Sequence, residues 1–254
     1  MPESVVLLHG FGGTRRAWDG VASLLDPERY LPLALDLPGH GAAADSPRPI
    51  TFATCVAHVL ARSPASFALC GYSLGGRIGL HVALAAPDRV ARLVLVSSTA
   101  GIDDGAERAA RRAEEERLAR ELEAGTLAEF VARWRAQPLF AGESPQVRRL
   151  ASEDQLRNRA DALAAVLRGV GTGAMPPLWD RLGELELPVG VLAGERDAKF
   201  LAIARRMVAR LPDAQLVVAS GGHNLHLENP AAVSRALSAA TGRLRSRSRS
   251  QRAP

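Results

Sequence analysis

The segment Gly71-Tyr72-Ser73-Leu74-Gly75 carries the strongest chemical signal in this chain. It follows the apolar run Phe67–Cys70 and opens the helical pattern Gly75–Ala85, so Ser73 sits on a sharp strand-to-helix turn, the setting of a nucleophile elbow. Glycines two residues to either side remove side chains that would clash in so tight a turn, and Gly76 adds a further small residue. The helix starting just after Ser73 presents free N–H groups toward any oxyanion. The competing reading is an ordinary tight turn without chemistry.

A serine hydroxyl needs a base, and the base needs an orienting acid. Asp197 lies just past the apolar run Val189–Ala193, and His223 just past Gln215–Ala219, giving the chain order Ser, Asp, His. The ends of neighbouring parallel strands converge on one edge of a sheet, which places all three together. His226 is a rival base, read as starting the segment toward the last helix. Glu195 is a rival acid, read as turning the chain. His40 reads as a turn residue, and His58 and His81 as helix residues. The glycine-rich His9-Gly10-Phe11-Gly12-Gly13-Thr14 brings backbone close to a ligand, and the Phe11 and Leu74 N–H groups are the expected oxyanion hole. A dinucleotide fingerprint would need a third glycine in register, and none is there. Metal-type Cys/His spacing is absent, so neither metal nor cofactor is expected. Cys55 and Cys70 stand in apolar contexts and read as buried free thiols of a reducing cytoplasm.

The elements that must position these residues follow from hydrophobic pattern. Val5–Leu8, Leu31–Leu35, Phe67–Cys70 and Leu93–Val96 are continuous apolar runs, separated by helical spacing over Ala17–Leu25, Thr51–Ala61 and Gly75–Ala85. Strands apolar on both faces, alternating with helices, predict an α/β fold with a mostly parallel sheet covered on both sides. From Asp104 to Glu123 the chain is rich in Ala, Glu and Arg with no β-branched residue, which predicts a long polar helix. Thr126–Arg135 and Asn158–Arg168 continue the helical pattern, and no strand signal appears between Ser98 and Pro188. Alternation resumes with Val189–Ala193, Ile203–Leu211, Gln215–Ala219 and Pro230–Ala240. The expected organisation is a core over 1–102 and 182–242, an inserted helical cap over 103–181, and a disordered basic tail over 243–254.

Charge belongs to that tail. The 254 residues carry 32 bases, of which Lys199 is the only lysine, against 27 acids. Five arginines and no acid lie between Arg243 and Pro254, so the first 242 residues are formally neutral. The basicity is therefore no sign of a nucleic-acid-binding fold. The tail alone could attract RNA or anionic lipid, against the plainer reading of a solvated end. At 47% hydrophobic and 23% charged, the composition is that of an ordinary globular protein. No apolar run approaches bilayer-spanning length, and no signal-peptide pattern opens the chain, so a cytoplasmic protein is expected. Oligomeric state is not legible.

The His-Gly-Phe, Asp-Leu-Pro-Gly-His-Gly, Gly-Tyr-Ser-Leu-Gly-Gly, Gly-Glu-Arg-Asp and Gly-Gly-His segments resemble the α/β-hydrolase superfamily over residues 5–242. Narrower features run from Gly71 to Arg77, Ser97 to Ile102 with Glu107-Arg108 and Arg111-Arg112, and Phe130 to Trp134 into Gln137-Pro138-Leu139-Phe140. Others are Leu167 to Gly173, Pro177-Leu178-Trp179 and Gly194 to Phe200. Together they resemble the menaquinone-pathway synthases that make 2-succinyl-6-hydroxy-2,4-cyclohexadiene-1-carboxylate. The resemblance implies a sheet that begins at what is usually the third strand. It also implies a lyase step, in which abstraction of a ring proton triggers elimination of pyruvate from a small substrate with three carboxylates.

On that resemblance Arg77, one helical turn after Ser73, faces the pocket, and Arg111, Trp134 and Arg157 match carboxylate-binding cap residues, with Arg159 able to replace Arg157. Tyr72 is implied as a pocket wall able to hydrogen-bond the substrate. Arginine suits such a site because its planar fork grips a carboxylate bidentately and keeps its charge. Each of these arginines has the competing reading of a solvated surface residue in an arginine-rich chain. Two other functions compete with the lyase. One is a carboxylic-ester or C–C bond hydrolase using the same Ser73, Asp197 and His223. The other is a non-catalytic ligand receptor, disfavoured by the complete set of three.

Overall fold

A computed structural model describes residues 1–239 of the chain. The last residue of the expected Pro230–Ala240 helix and the expected basic tail at 243–254 lie outside the described residues. The apolar runs form six strands: β1 Glu3–Leu8, β2 Tyr30–Leu35, β3 Phe67–Tyr72, β4 Val90–Val96, β5 Val189–Gly194 and β6 Ala214–Ala219. They make one sheet in the order β2-β1-β3-β4-β5-β6, parallel at every pairing. Successive strands add outward on one side of β1 and then on the other, so the order reverses between β1 and β3. Ligands bind at such a switch point in open α/β sheets.

The strand sequences explain the layers. Along β1 and β3, residues Val6, Leu8, Phe67 and Leu69 pack into one core cluster, and their alternates Val5, Leu7, Ala68 and Cys70 into another. The short helix α1 (Asp19–Ala22) adds Val21 to the second cluster. The helices α2 (Phe52–Arg62) and α3 (Leu74–Ala85) cover the first, through Phe52, Cys55, Val59, Ile78 and Val82. Burial pushes the Cys55 thiol up to about 12 and the Cys70 thiol higher still, and both cysteines are free.

Between β4 and β5 the structure has four longer helices and no strand: α4 (Gly105–Ala124), α5 (Leu127–Arg135), α6 (Pro145–Gln155) and α7 (Ala160–Val170). Asp104 caps α4 by accepting from the Glu107 N–H at 2.7 Å, and Thr126 and Glu129 form a capping box on α5. Ala119, Leu122, Phe130, Leu163, Ala164 and Leu167 give these helices a small core of their own, which Phe11 touches from the sheet side. After β5 come α8 (Ala198–Val208), α9 (Leu225–Glu228) and a helix over residues 230–239.

Three differences from the sequence reading have physical reasons. The expected helix over Ala17–Leu25 shrinks to a 3-10 turn, Arg15–Trp18, followed by α1, which contains Gly20, a poor helix former. Helix α6 falls in a stretch with sparse apolar periodicity. It is started by Ser144, whose hydroxyl accepts from the Val147 N–H, and by Pro145 in the first turn. Helix α8 begins at Ala198, well before Ile203, because Asp197 caps it. Among the described residues no helix is long and apolar enough to cross a membrane.

Candidate active site

Ser73 adopts φ 49° and ψ −107°, a left-handed-side backbone that a non-glycine residue holds at a cost of about 1–3 kcal/mol. The turn enforces it. A Cβ at Gly71 would lie 2.3 Å from the Gly75 carbonyl oxygen, and one at Gly75 would lie 2.1 Å from that of Leu8. The Ser73 N–H donates to Val96 O at 2.9 Å, and Ser73 O accepts from the Arg77 N–H and the Ser98 hydroxyl. With the backbone pinned on both sides, the side chain stands at the end of β3, where it lines a cavity of about 950 Å³.

His223 and Asp197 line the same cavity, both buried. His223 Nδ1 lies 2.7 Å from Asp197 Oδ2, and Asp197 Oδ1 accepts from the Phe200 N–H at 3.2 Å. The N-terminal end of α8 favours negative charge on Asp197. Because a carboxylate accepts, Nδ1 carries the proton and Nε2 is left as the basic nitrogen. The Phe200 ring sits 4.4 Å from that of His223 and excludes water from one side. The rivals are elsewhere engaged. Glu195 accepts from the Ser220 hydroxyl at 2.9 Å. His226 packs between Trp18 and Tyr72 at ring distances of 5.2 and 4.1 Å, and burial pushes it down to about 3, so it stays neutral.

The glycine loop after β1 is held from several directions. His9 Nδ1 donates to Gly10 O, while its Nε2 accepts from the Leu37 N–H. His40 Nε2 accepts from the Gly12 N–H at 3.2 Å. Burial lowers both imidazoles from their ordinary value, which suits these neutral tautomers. From α6 and the residues just after it, Asp154 accepts from both the N–H and the hydroxyl of Thr14, and Asn158 donates to Gly12 O at 2.6 Å while accepting from the Gly41 N–H. Among the described residues, the Phe11 and Leu74 N–H groups donate no hydrogen bond, and both residues line the cavity beside Ser73.

Of the implied substrate-binding residues, Tyr72, Arg77, Arg111 and Trp134 line the cavity. Arg77 is buried, its Nη1 donates to Val170 O at 2.7 Å, and burial pulls it down to about 10. Arg111 Nε donates to Glu115 at 2.7 Å, and buried Glu115 also accepts from the Thr172 and Gly173 N–H groups. Trp134 sits 4.9 Å from the Phe11 ring. Tyr72 donates to Asn224 Oδ1, which is one link of a longer chain through Glu143 to Arg135. The structure does not bring Arg157 to the cavity. It follows the end of α6, where its half-exposed guanidinium turns back 3.9 Å from Asp154 Oδ1. Arg159 pairs with Asp45 and Asp161 at the surface.

Sequence reasoning missed Glu115, Glu143, Asp154, Asn158 and Asn224, and it gave His40 only a turn. No local motif marks the first five. His40 had a signal in its Gly-His-Gly surroundings, where a buried imidazole can serve backbone amides. Among the described residues, no group of three or more His, Cys, Asp or Glu side chains could hold a metal ion.

Known proteins resemble this chain over most of its length. Residues 5–236 match the alpha/beta hydrolase family. A Bacillus subtilis (strain 168) protein, provisionally named a 2-succinyl-6-hydroxy-2,4-cyclohexadiene-1-carboxylate synthase, is 33% identical over 238 residues, covering 90% of this chain and 86% of that one. The synthase of that name from Salmonella paratyphi C (strain RKS4594) is 35% identical over 234 residues, covering 91% and 90%. The solved structure of MenH from S. aureus aligns with a TM-score of 0.88 at 28% identity, covering 95% of this chain and 94% of that one.

Proposed function

This chain belongs to the alpha/beta hydrolase family, and we propose that it is a lyase of menaquinone biosynthesis. It eliminates pyruvate from 2-succinyl-5-enolpyruvyl-6-hydroxy-3-cyclohexene-1-carboxylate to give 2-succinyl-6-hydroxy-2,4-cyclohexadiene-1-carboxylate. The observation that carries the reading is the buried Arg77 guanidinium in the same cavity as Ser73 and the His223–Asp197 pair. A neutral ester would gain nothing from a desolvated cation, whereas a tricarboxylate would.

The chemistry follows from the substrate. Its ring C2–H is flanked by the succinyl ketone and the C3–C4 double bond. Ser73, polarised by His223 Nε2, takes that proton as general base, and the imidazole receives it in turn. Asp197 holds the tautomer and stabilises the imidazolium. The electron pair left at C2 places negative charge on the ketone oxygen, where the Phe11 and Leu74 N–H groups can donate. Collapse forms the 2,3 double bond, shifts the 3,4 bond to 4,5 and breaks the bond from C5 to the enolpyruvyl oxygen. The enolate leaves, takes up a proton and becomes pyruvate. No water attacks and no acyl-enzyme forms. Arg77 and Arg111 bind carboxylates, and Trp134 and Tyr72 wall the cavity. The cap over 103–181 would close over the substrate, and the free, buried Cys55 and Cys70 are in keeping with a cytoplasmic enzyme.

The test supplies the enolpyruvyl precursor and follows pyruvate release with a coupled dehydrogenase. Release that is lost in Ser73→Ala is the expected result. No pyruvate, together with rapid turnover of p-nitrophenyl esters, would replace the lyase by a hydrolase on the same residues.

A further inference from the structure

Tyr72, beside Ser73, ends a chain of buried polar side chains that starts in the cap. Arg135, the last residue of α5, pairs through Nη2 with Glu143 Oε2, and its guanidinium lies 4.1 Å from the centroid of the Phe140 ring. Glu143 Oε1 accepts from Asn224 Nδ2 at 2.7 Å, and Asn224 Oδ1 accepts from the Tyr72 hydroxyl. All four side chains are buried. Asn224 directly follows His223, so the chain ties the cap, the histidine loop and the strand end that carries Ser73 into one unit.

Its polarity runs in one direction. A carboxylate paired with a guanidinium can only accept hydrogen bonds. Asn224 must therefore turn its NH₂ toward Glu143, which leaves only its carbonyl oxygen for Tyr72. The phenol has a single proton and must spend it on that oxygen. Anything that reaches Tyr72 Oη from the cavity meets lone pairs. A buried ion pair gives little stability beyond well-packed apolar side chains; what this one does give is a fixed direction to every bond downstream of it.

We propose that Arg135 and Glu143 are a positioning pair which, through Asn224, presents Tyr72 to the cavity as a hydrogen-bond acceptor and so selects a hydroxyl donor on the substrate. The proposal rests on the substrate reading above. That molecule carries three carboxylates, a ketone and an enol ether, all acceptors, and a single donor, the 6-hydroxyl. An acceptor phenol repels the carboxylates and holds the 6-hydroxyl, which is on the carbon next to C5, where the leaving group is attached.

The experiment compares the substrate with its 6-deoxy-6-fluoro analogue, whose fluorine can accept but has no proton to donate, and which keeps every bond that the elimination makes or breaks. Wild type is expected to prefer the parent by about tenfold or more in kcat/KM, the value of one buried hydrogen bond. In Tyr72→Phe and in Glu143→Gln the preference should collapse to within about threefold of unity. A side chain that merely supports the fold would lower both rates and leave their ratio alone. A wild-type preference retained in Glu143→Gln would therefore overturn the proposal. Should Glu143→Gln fail to fold, Arg135→Met/Glu143→Leu removes the pair without stranding a buried charge, and the same collapse is expected of it. Neutron diffraction of the deuterated protein reads the proton directly and needs no turnover. A deuteron on Tyr72 Oη pointing to Asn224 is expected, and one pointing into the cavity overturns the proposal. Failure of wild type to release pyruvate from the parent compound would sink the substrate reading instead, and the neutron result would then decide the positioning role alone.

Discussion

Replacing Arg77 with lysine should turn a cation that is charged at every working pH into one that titrates within the assay range. Burial pulls the Arg77 guanidinium down to about 10, with Glu115 opposing the effect and the positive charge of Arg111 adding to it. A free lysine ammonium titrates near ~10.4. The same burial would bring it to about 8. The sign is that of a cation disfavoured by desolvation: the charged form, which grips the carboxylate, is present below that pH and lost above it. The profile of kcat/KM reports groups on the free enzyme. For wild type, Arg77 contributes no fall in kcat/KM up to pH ~9, whereas Arg77→Lys should lose about tenfold per pH unit above ~8. Arg77→Met removes the charge at all pH. A hydrogen bond to a charged group is worth about 1.5–3 kcal/mol, so its kcat/KM should drop by about 10- to 150-fold. The assay is pyruvate release from pH 6 to 9.5, with each profile divided by that of wild type to cancel any pH dependence the enzymes share. Two results would refute the reasoning. One is an Arg77→Lys profile parallel to wild type throughout. The other is an Arg77→Met enzyme within threefold of wild type.

Asp197→Asn can donate to His223 Nδ1 and so shift the ring proton to Nε2, removing the base without disturbing the packing; kcat should fall about 10³- to 10⁴-fold, and a loss under tenfold would count against the tautomer argument. Asp154→Ala leaves the Thr14 N–H and hydroxyl without their partner in a buried place. Calorimetry should show a loss of about 2–4 kcal/mol and a Tm lowered by roughly 4–16 °C, and an unchanged Tm would show that Thr14 finds water instead. Gly75→Ala should yield no folded protein, since its Cβ would sit 2.1 Å from Leu8 O, whereas Gly105→Ala, with nothing within 4 Å, should leave circular dichroism and Tm unchanged or slightly improved. Equal soluble yields of the two would contradict the crowding at the turn.

Ser73, Asp197 and His223 were legible because each follows directly on an apolar run, and because parallel strands bring such ends to one edge. The Ser73 turn was further marked by the glycines that its crowding demands. The residues that escaped are polar ones whose partners lie far along the chain. Thr14 and Asp154 are 140 residues apart, and Tyr72 and Asn224 are 152 apart. Hydrophobic periodicity shows which face of a helix meets apolar neighbours, but Asp154 on α6 and Glu143 before it have the local sequence of a solvated surface. They are buried only because the helices between β4 and β5 pack on the glycine loop and the histidine loop. Arg157 is the converse case. It was placed at the substrate by resemblance, yet its half-exposed guanidinium lies 3.9 Å from Asp154 Oδ1 and does not line the cavity. The consequence reaches the chemistry itself. Motifs locate the reacting atoms, but which nitrogen of His223 is basic follows from Asp197, and which way the Tyr72 proton points follows from Glu143. The direction of each proton in this site is thus a property of the tertiary fold, and substitutions that preserve every motif can still reverse it.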